Sequence, residues 1–273
     1  MSATQIHIVD AAAGLILVVC SDGSRVLFGS HVGLGTPNEA VQRIFEILED
    51  GAIDYFIHEC AEPQGVPVID ALVEFFPVKM CLERTGADVD APQFYRNIRG
   101  ERRVETLDAS EIYELGETQL RILQAEAARP GRPHRPVALH VMHGEGRLAS
   151  SAMCCGATSG LDWRDIAATD PDLQAACMIV HGSRPLDVVL TARDLGIASA
   201  EPLRAIAPST VVLGADPGGA TSLRGAAREL YSHFARGNGA GLVELTRAAW
   251  TTLVLDGDGV RIEREDRPMT KVA

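Results

Sequence analysis

Tyr55-Phe-Ile-His-Glu-Cys-Ala-Glu-Pro-Gln-Gly65 ends a short apolar strand and enters a loop broken by proline and glycine. The strand, Ile53 to Ile57, follows a segment of different period. Over Asn38 to Asp50, Ala40, Val41, Ile44, Phe45 and Leu48 fall on one face at helical spacing. Beyond the loop, a helix is expected from about Val68 to Phe76 and a strand at Val78 to Cys81. The order is βαβαβ.

Upstream, Gln5 to Asp10, Leu15 to Cys20 and Arg25 to Phe28 read as strands of a meander, with the tight turn Asp22-Gly-Ser between the last two. Residues 82 to 111 are more polar and less regular, and are expected to form a loop-rich excursion over the surface. The second half restarts with strands at Gln119 to Leu123, Val137 to Met142 and Ser150 to Cys155. A short helix begins at Leu161, with Asp162 or its neighbour able to cap it. A buried strand is expected at Ala176 to Val180, then the segment Pro185 to Leu195, a helix at Glu201 to Ile206, a strand at Thr210 to Leu213 and a helix at Leu223 to Arg236. Trp250 to Leu255, the turn Asp256-Gly-Asp-Gly259 and Val260 to Glu263 form a closing hairpin, with a tail from about 265 to 273. The expected fold is α/β: one domain over residues 1–273, an αββα sandwich of two mixed β-sheets with helices on the outer faces.

Composition narrows the function classes. The 273 residues are 46% hydrophobic, enough to bury a substantial core. A formal net charge of -12 repels a phosphate backbone, so nucleic acid is not an expected partner. The basic stretch Arg129 to Arg135 is interrupted by Pro130, Gly131 and Pro133 and reads as a solvated loop. The longest apolar run, Ala11 to Cys20, is about half of what a membrane-crossing helix needs. No basic segment followed by a hydrophobic run opens the chain, so a cytoplasmic location is expected. The six cysteines mostly sit in apolar runs without a C-x-x-C pair, as buried thiols do.

The strand order and several short motifs resemble the metallo-β-lactamase fold, in particular the hydrolase-like domain of the ComEC-type competence proteins. That group opens with "D-V-G-Q-G-D", continues with "D-G" and closes its third strand with "I-D-A-G"; this chain has Ile8-Val-Asp-Ala-Ala-Ala-Gly14, Asp22-Gly23 and Leu27-Phe-Gly-Ser30. The third-strand aspartate of the family falls on Gly29. The family's "T-H-x-H-x-D-H-x-G-G" falls on the loop after Asp54-Tyr-Phe-Ile-His58, and its "F-P-V" on Phe75-Phe-Pro-Val78. The resemblance then sets Glu59, Ala61, Pro63 and Gln64 on the family's His, His, Asp and His. Its metal-bridging aspartate falls near Cys155-Gly-Ala157, and its "H-H-G-S" on Val180-His-Gly-Ser183, which keeps one histidine.

The resemblance implies a zinc hydrolase, and such a site needs imidazole or carboxylate ligands at about 2.0–2.2 Å around ions about 3.5–4 Å apart. Alanine and proline cannot ligate, and glutamine is a poor neutral donor. A chain with no catalytic residues and no metal is therefore expected, serving as a binding or assembly subunit for a protein partner. One rival is a hydrolase of phosphoester-type substrates with a single zinc or manganese ion on His58, Glu59, Glu62, His181 and Asp216. A loop whose polar side chains face water accounts for the same residues. A second rival is a small-ligand or anion sensor using the glycine-rich turn 214–222, with Gly218, Gly219, Thr221 and Ser222 at a helix start. A plain strand-to-helix turn accounts for that segment too, since no P-loop lysine follows. His140 and His143, three apart, should face opposite sides of a strand, and Cys154 and Cys155 should be core residues.

Overall fold

The computed structural model describes residues 2–10, 14–29, 37–49, 51–57, 72, 75–84, 103–107, 112–124, 137–145, 150–155, 158, 160–180, 203–215, 229, 232–233, 235–246 and 248–266. Two mixed sheets face each other. The first has eight strands: β1 (Thr4–Ile8), β2 (Leu15–Val19), β3 (Arg25–Gly29), β4 (Ile53–Ile57), β5 (Val78–Arg84), β6 (Arg103–Leu107), and the C-terminal pair β14 (Ala249–Asp256) and β15 (Gly259–Asp266). Their order is β15-β14-β1-β2-β3-β4-β5-β6. The second sheet has β7 (Ile112–Leu115), β8 (Thr118–Gln124), β9 (Val137–His143), β10 (Ser151–Cys154), β11 (Cys177–Val180), β12 (Thr210–Leu213) and β13 (Gly241–Glu244), in the order β13-β12-β11-β10-β9-β8-β7.

Each sheet changes character partway across. In the first sheet β15 to β3 pair antiparallel, and β3 to β6 pair parallel. In the second sheet β7 to β10 pair antiparallel and β10 to β13 parallel. The cause is connection length, because tight turns join antiparallel neighbours and parallel neighbours need longer crossovers. Helix α1 (Pro37–Leu48) supplies the crossover between β3 and β4, and helix α2 (Gly160–Thr169) the one between β10 and β11.

The alternation of each strand splits the core into three layers. Ile6, Val18, Phe28, Leu120, Leu139 and Leu253 fill the space between the sheets. Leu17, Leu27 and Phe56 turn outward beneath α1, which seats Ile44 and Leu48 on them. Met153, Met178 and Val211 lie under Trp163 and Ile166 of α2. Burying side chains of this size stabilises by about 1.5–3 kcal/mol each, so the apolar face of α1 fixes that helix on the first sheet.

Several boundaries differ from the sequence reading. The stretch 82–111, expected as loop, contains the end of β5 and all of β6. β7 and β13 had no counterpart in the pattern analysis, and β15 runs to Asp266, so residues 265 and 266 belong to the sheet rather than to a tail. Asp162 lies inside the first turn of α2 rather than at its cap. Of the three later helices, the described residues include helical positions at 72 and 75, at 203–206, and at 229, 232–233 and 235–237. The segments 129–135 and 185–195 lie outside the described residues. Among the described residues no helix is long and apolar enough to cross a membrane.

Candidate functional site

Hydrogen bonds between the sheets fix which strand ends share an end of the sandwich. Thr4, at the start of β1, meets Thr118, at the start of β8, and His143, at the end of β9. Because β10 runs against β9, its start lies at that same end. The C-terminal ends of β1, β3, β4 and β5 therefore lie at the opposite end, together with those of β10, β11, β12 and β13. His58, Glu59 and Glu62 follow β4 in the chain, His181 follows β11 directly, and Asp216 and the glycine-rich residues Gly218, Gly219, Thr221 and Ser222 follow β12. The strands that precede these residues in the chain thus all end on one side of the fold. The residues themselves lie outside the described set, as do Ala61, Pro63, Gln64 and Ala157.

The described rim of that end is built from backbone. Val9 N–H donates to Leu15 O at 3.0 Å, and Gly14 N–H donates to the buried Asp10 carboxylate at 3.1 Å. These bonds tie Val9 and Asp10 to Leu15 and Gly14, and Leu15 pairs in register with Gly29 at the end of β3. There Gly29 has φ +118, a conformation closed to ordinary L side chains. A β-carbon at 29 would collide with the carbonyl oxygen of Gly14 and press on Leu15 Cα at 3.2 Å. Position 29 has no space for a side chain. Sequence reading registers the substitution at Gly29; that Gly14 is what fills the space emerges only from the pairing of Leu15 with Gly29.

Across the groove, the parallel ladder runs one step past each strand, with Cys155 N–H on Ile179 O, Gly214 N–H on Val180 O and Leu245 N–H on Leu213 O. Gly214 thus commits its amide to the sheet rather than to an anion. Cys154 packs between the sheets and Cys155 beneath α2, on opposite faces as adjacent strand residues must. Both are core residues.

His140 and His143 also face opposite ways. His140 sits on the outer face, paired in register with Arg121 and Met153, and among the described residues neither ring nitrogen has a hydrogen-bond partner. Burial first, and Arg121 second, push its pKa down to about 4. His143 turns inward to Thr4. Among the described residues no three His, Cys, Asp or Glu side chains gather to hold an ion.

No family model and no curated protein matches the sequence. Solved structures do match the fold. CmlA, a diiron beta-hydroxylase from Streptomyces venezuelae, superposes with a TM-score of 0.59 at 13% identity, over 93% of this chain and 54% of that chain. The metallo-beta-lactamase fold protein YhfI from Bacillus subtilis superposes with a TM-score of 0.57 at 10% identity, over 97% of this chain and 100% of that chain. This chain spans about half the length of CmlA. At such identities the likeness concerns architecture: the molecule has the metallo-β-lactamase fold, two mixed sheets packed face to face with helices outside.

Proposed function

We propose that this chain is a degenerate metallo-β-lactamase-fold protein of the ComEC-like type, metal-free and non-catalytic, that acts as a binding or assembly subunit for a protein partner. The observation that carries the reading is the backbone closure at Gly29. The third-strand carboxylate is missing, and the carbonyl of Gly14 stands in the space its β-carbon would need. This agrees with a loop after β4 that offers Ala61, Pro63 and Gln64 where a dinuclear site needs imidazoles and a carboxylate. The residues present do not fit a pair of ions, and the cleft at the loop-bearing end is left as a surface for a partner.

One observation favours a second reading. His58, Glu59, Glu62, His181 and Asp216 all follow strands whose ends share one side of the sandwich, so a single zinc or manganese ion could draw on them. CmlA, which shares this fold over about half of its length, is named as a diiron enzyme. Turnover of a chromogenic phosphodiester, with and without added zinc or manganese, separates the two readings when wild type is compared with His181→Ala. The proposal predicts no metal-dependent turnover in either protein. Metal-dependent turnover that His181→Ala abolishes would replace the proposal with the one-ion hydrolase.

A further inference from the structure

The opposite end of the sandwich holds a run of hydrogen bonds that joins the two sheets and is closed into a ring by one longer ion-pair contact between His143 and Glu117. Ser21, in the turn between β2 and β3, gives its N–H to Thr118 Oγ1 at 2.8 Å. Thr118 Oγ1 lies 2.6 Å from Thr4 Oγ1, and Thr4 Oγ1 lies 3.0 Å from His143 Nδ1. His143 Nε2 is 3.4 Å from the Glu117 carboxylate, and Glu117 N–H returns to Ser21 Oγ at 2.6 Å. Ser21 passes its own hydroxyl proton to Leu115 O at 3.3 Å. Thr4 and Thr118 are wholly buried, so water cannot substitute for any inner link.

Donor and acceptor chemistry gives the ring one direction. A carboxylate oxygen 3.4 Å from Nε2 repels a lone pair there and attracts a proton, so the neutral imidazole carries its proton on Nε2. The neutral ring then offers Nδ1 as an acceptor, and Thr4 donates its single hydroxyl proton to it. Thr118 must in turn donate to Thr4, which leaves the Thr118 oxygen to accept from Ser21 N–H, a group that can only donate. Each proton position follows from the one before. The Cys20 thiol lies beside Thr118 as well; burial pushes it up to about 12, so it stays protonated. Close approach is built in as well. Gly116 has φ +67, and a β-carbon there would press on Ser21 Oγ at 2.7 Å, so glycine lets the β7–β8 turn settle onto the β2–β3 turn.

We propose that this ring is a proton-ordered latch that locks His143 as the Nε2–H tautomer and bolts the two sheets together at the end opposite the loop-bearing strand ends. Nitrogen-15 NMR of the full chain, at a pH above the imidazole range, reads the tautomer directly. The latch predicts a proton on Nε2 and an unprotonated Nδ1 for His143. A proton on Nδ1, or averaging between the two forms, would overturn it. Glu117→Gln keeps the size of the side chain but can present a donor, so both tautomers should become populated; a residue that merely fills space would leave the tautomer unchanged. In Thr118→Val the Ser21 amide loses its acceptor and should exchange with solvent about tenfold faster, with the Ile53 amide unaffected, and unchanged Ser21 exchange would count against the latch. If Thr118→Val does not fold, the wild-type tautomer and Glu117→Gln decide the matter alone.

Discussion

At the scale of single residues, His140 carries a stability cost that acid should reveal. It is 3% exposed with both ring nitrogens unpartnered among the described residues, and charging it would set an imidazolium beside Arg121. Its folded pKa of about 4 lies below the ordinary 6.5, so the unfolded chain takes up the proton first. The contribution is fully present above 6.5 and is lost as pH falls towards 4, amounting to at most about 3 kcal/mol. His140→Leu should flatten the pH dependence of urea unfolding across that window, leaving the share of His7, also pushed down to about 4 by burial and then by Arg43. At neutral pH the same variant should be no less stable than wild type, because it removes polar atoms that bond nothing. Gly29→Ala should cost about 3 kcal/mol or more, since it adds a collision to an unfavourable φ, against about 1 kcal/mol for Gly23→Ala, which has positive φ but open space. Comparable losses in the two variants, measured by denaturant titration, would mean that the Gly14–Gly29 contact yields easily.

At the scale of elements, α1 offers an internal control. Ile44 is fully buried against the first sheet, and its neighbour Phe45 is 53% exposed, so Ile44→Ala should lose about 2–5 kcal/mol and Phe45→Ala under about 1 kcal/mol in the same unfolding assay. This helix was legible because its apolar residues repeat at one period and the flanking strands at another. The antiparallel meander and the closing hairpin were legible for a similar reason, since Asp22-Gly23 and Asp256-Gly257 mark their turns; Ser24 N–H and Asp258 N–H bond those aspartates at 2.8 and 2.9 Å. The strands that escaped notice, β6, β7 and β13, all lie at sheet edges. An edge strand pairs on one side only and carries polar residues, as Arg103-Val-Glu-Thr-Leu107 does, so neither strong alternation nor an apolar run announces it. The latch is half legible: the three-residue spacing separates His143 from His140, but Thr4, Ser21 and Glu117 are distant from it in the chain and come together only through sheet packing. At the candidate site, substitution at ligand positions could be read from order along the chain, whereas the Gly14 carbonyl filling the space beside Gly29 could not.

At the scale of the whole molecule, the proposal is that the metallo-β-lactamase fold is kept here for its shape. The three-layer core and the change from antiparallel to parallel pairing in each sheet supply the shape. The proposed loss of metal chemistry rests on residues at one end of it. The most direct measurement is the metal-to-protein ratio of the purified full chain after equilibration with zinc, manganese and iron and removal of unbound ions, determined by elemental mass spectrometry. The account predicts that no pair of ions is retained and that the ratio stays well below two per chain. Two firmly held ions per chain would contradict it.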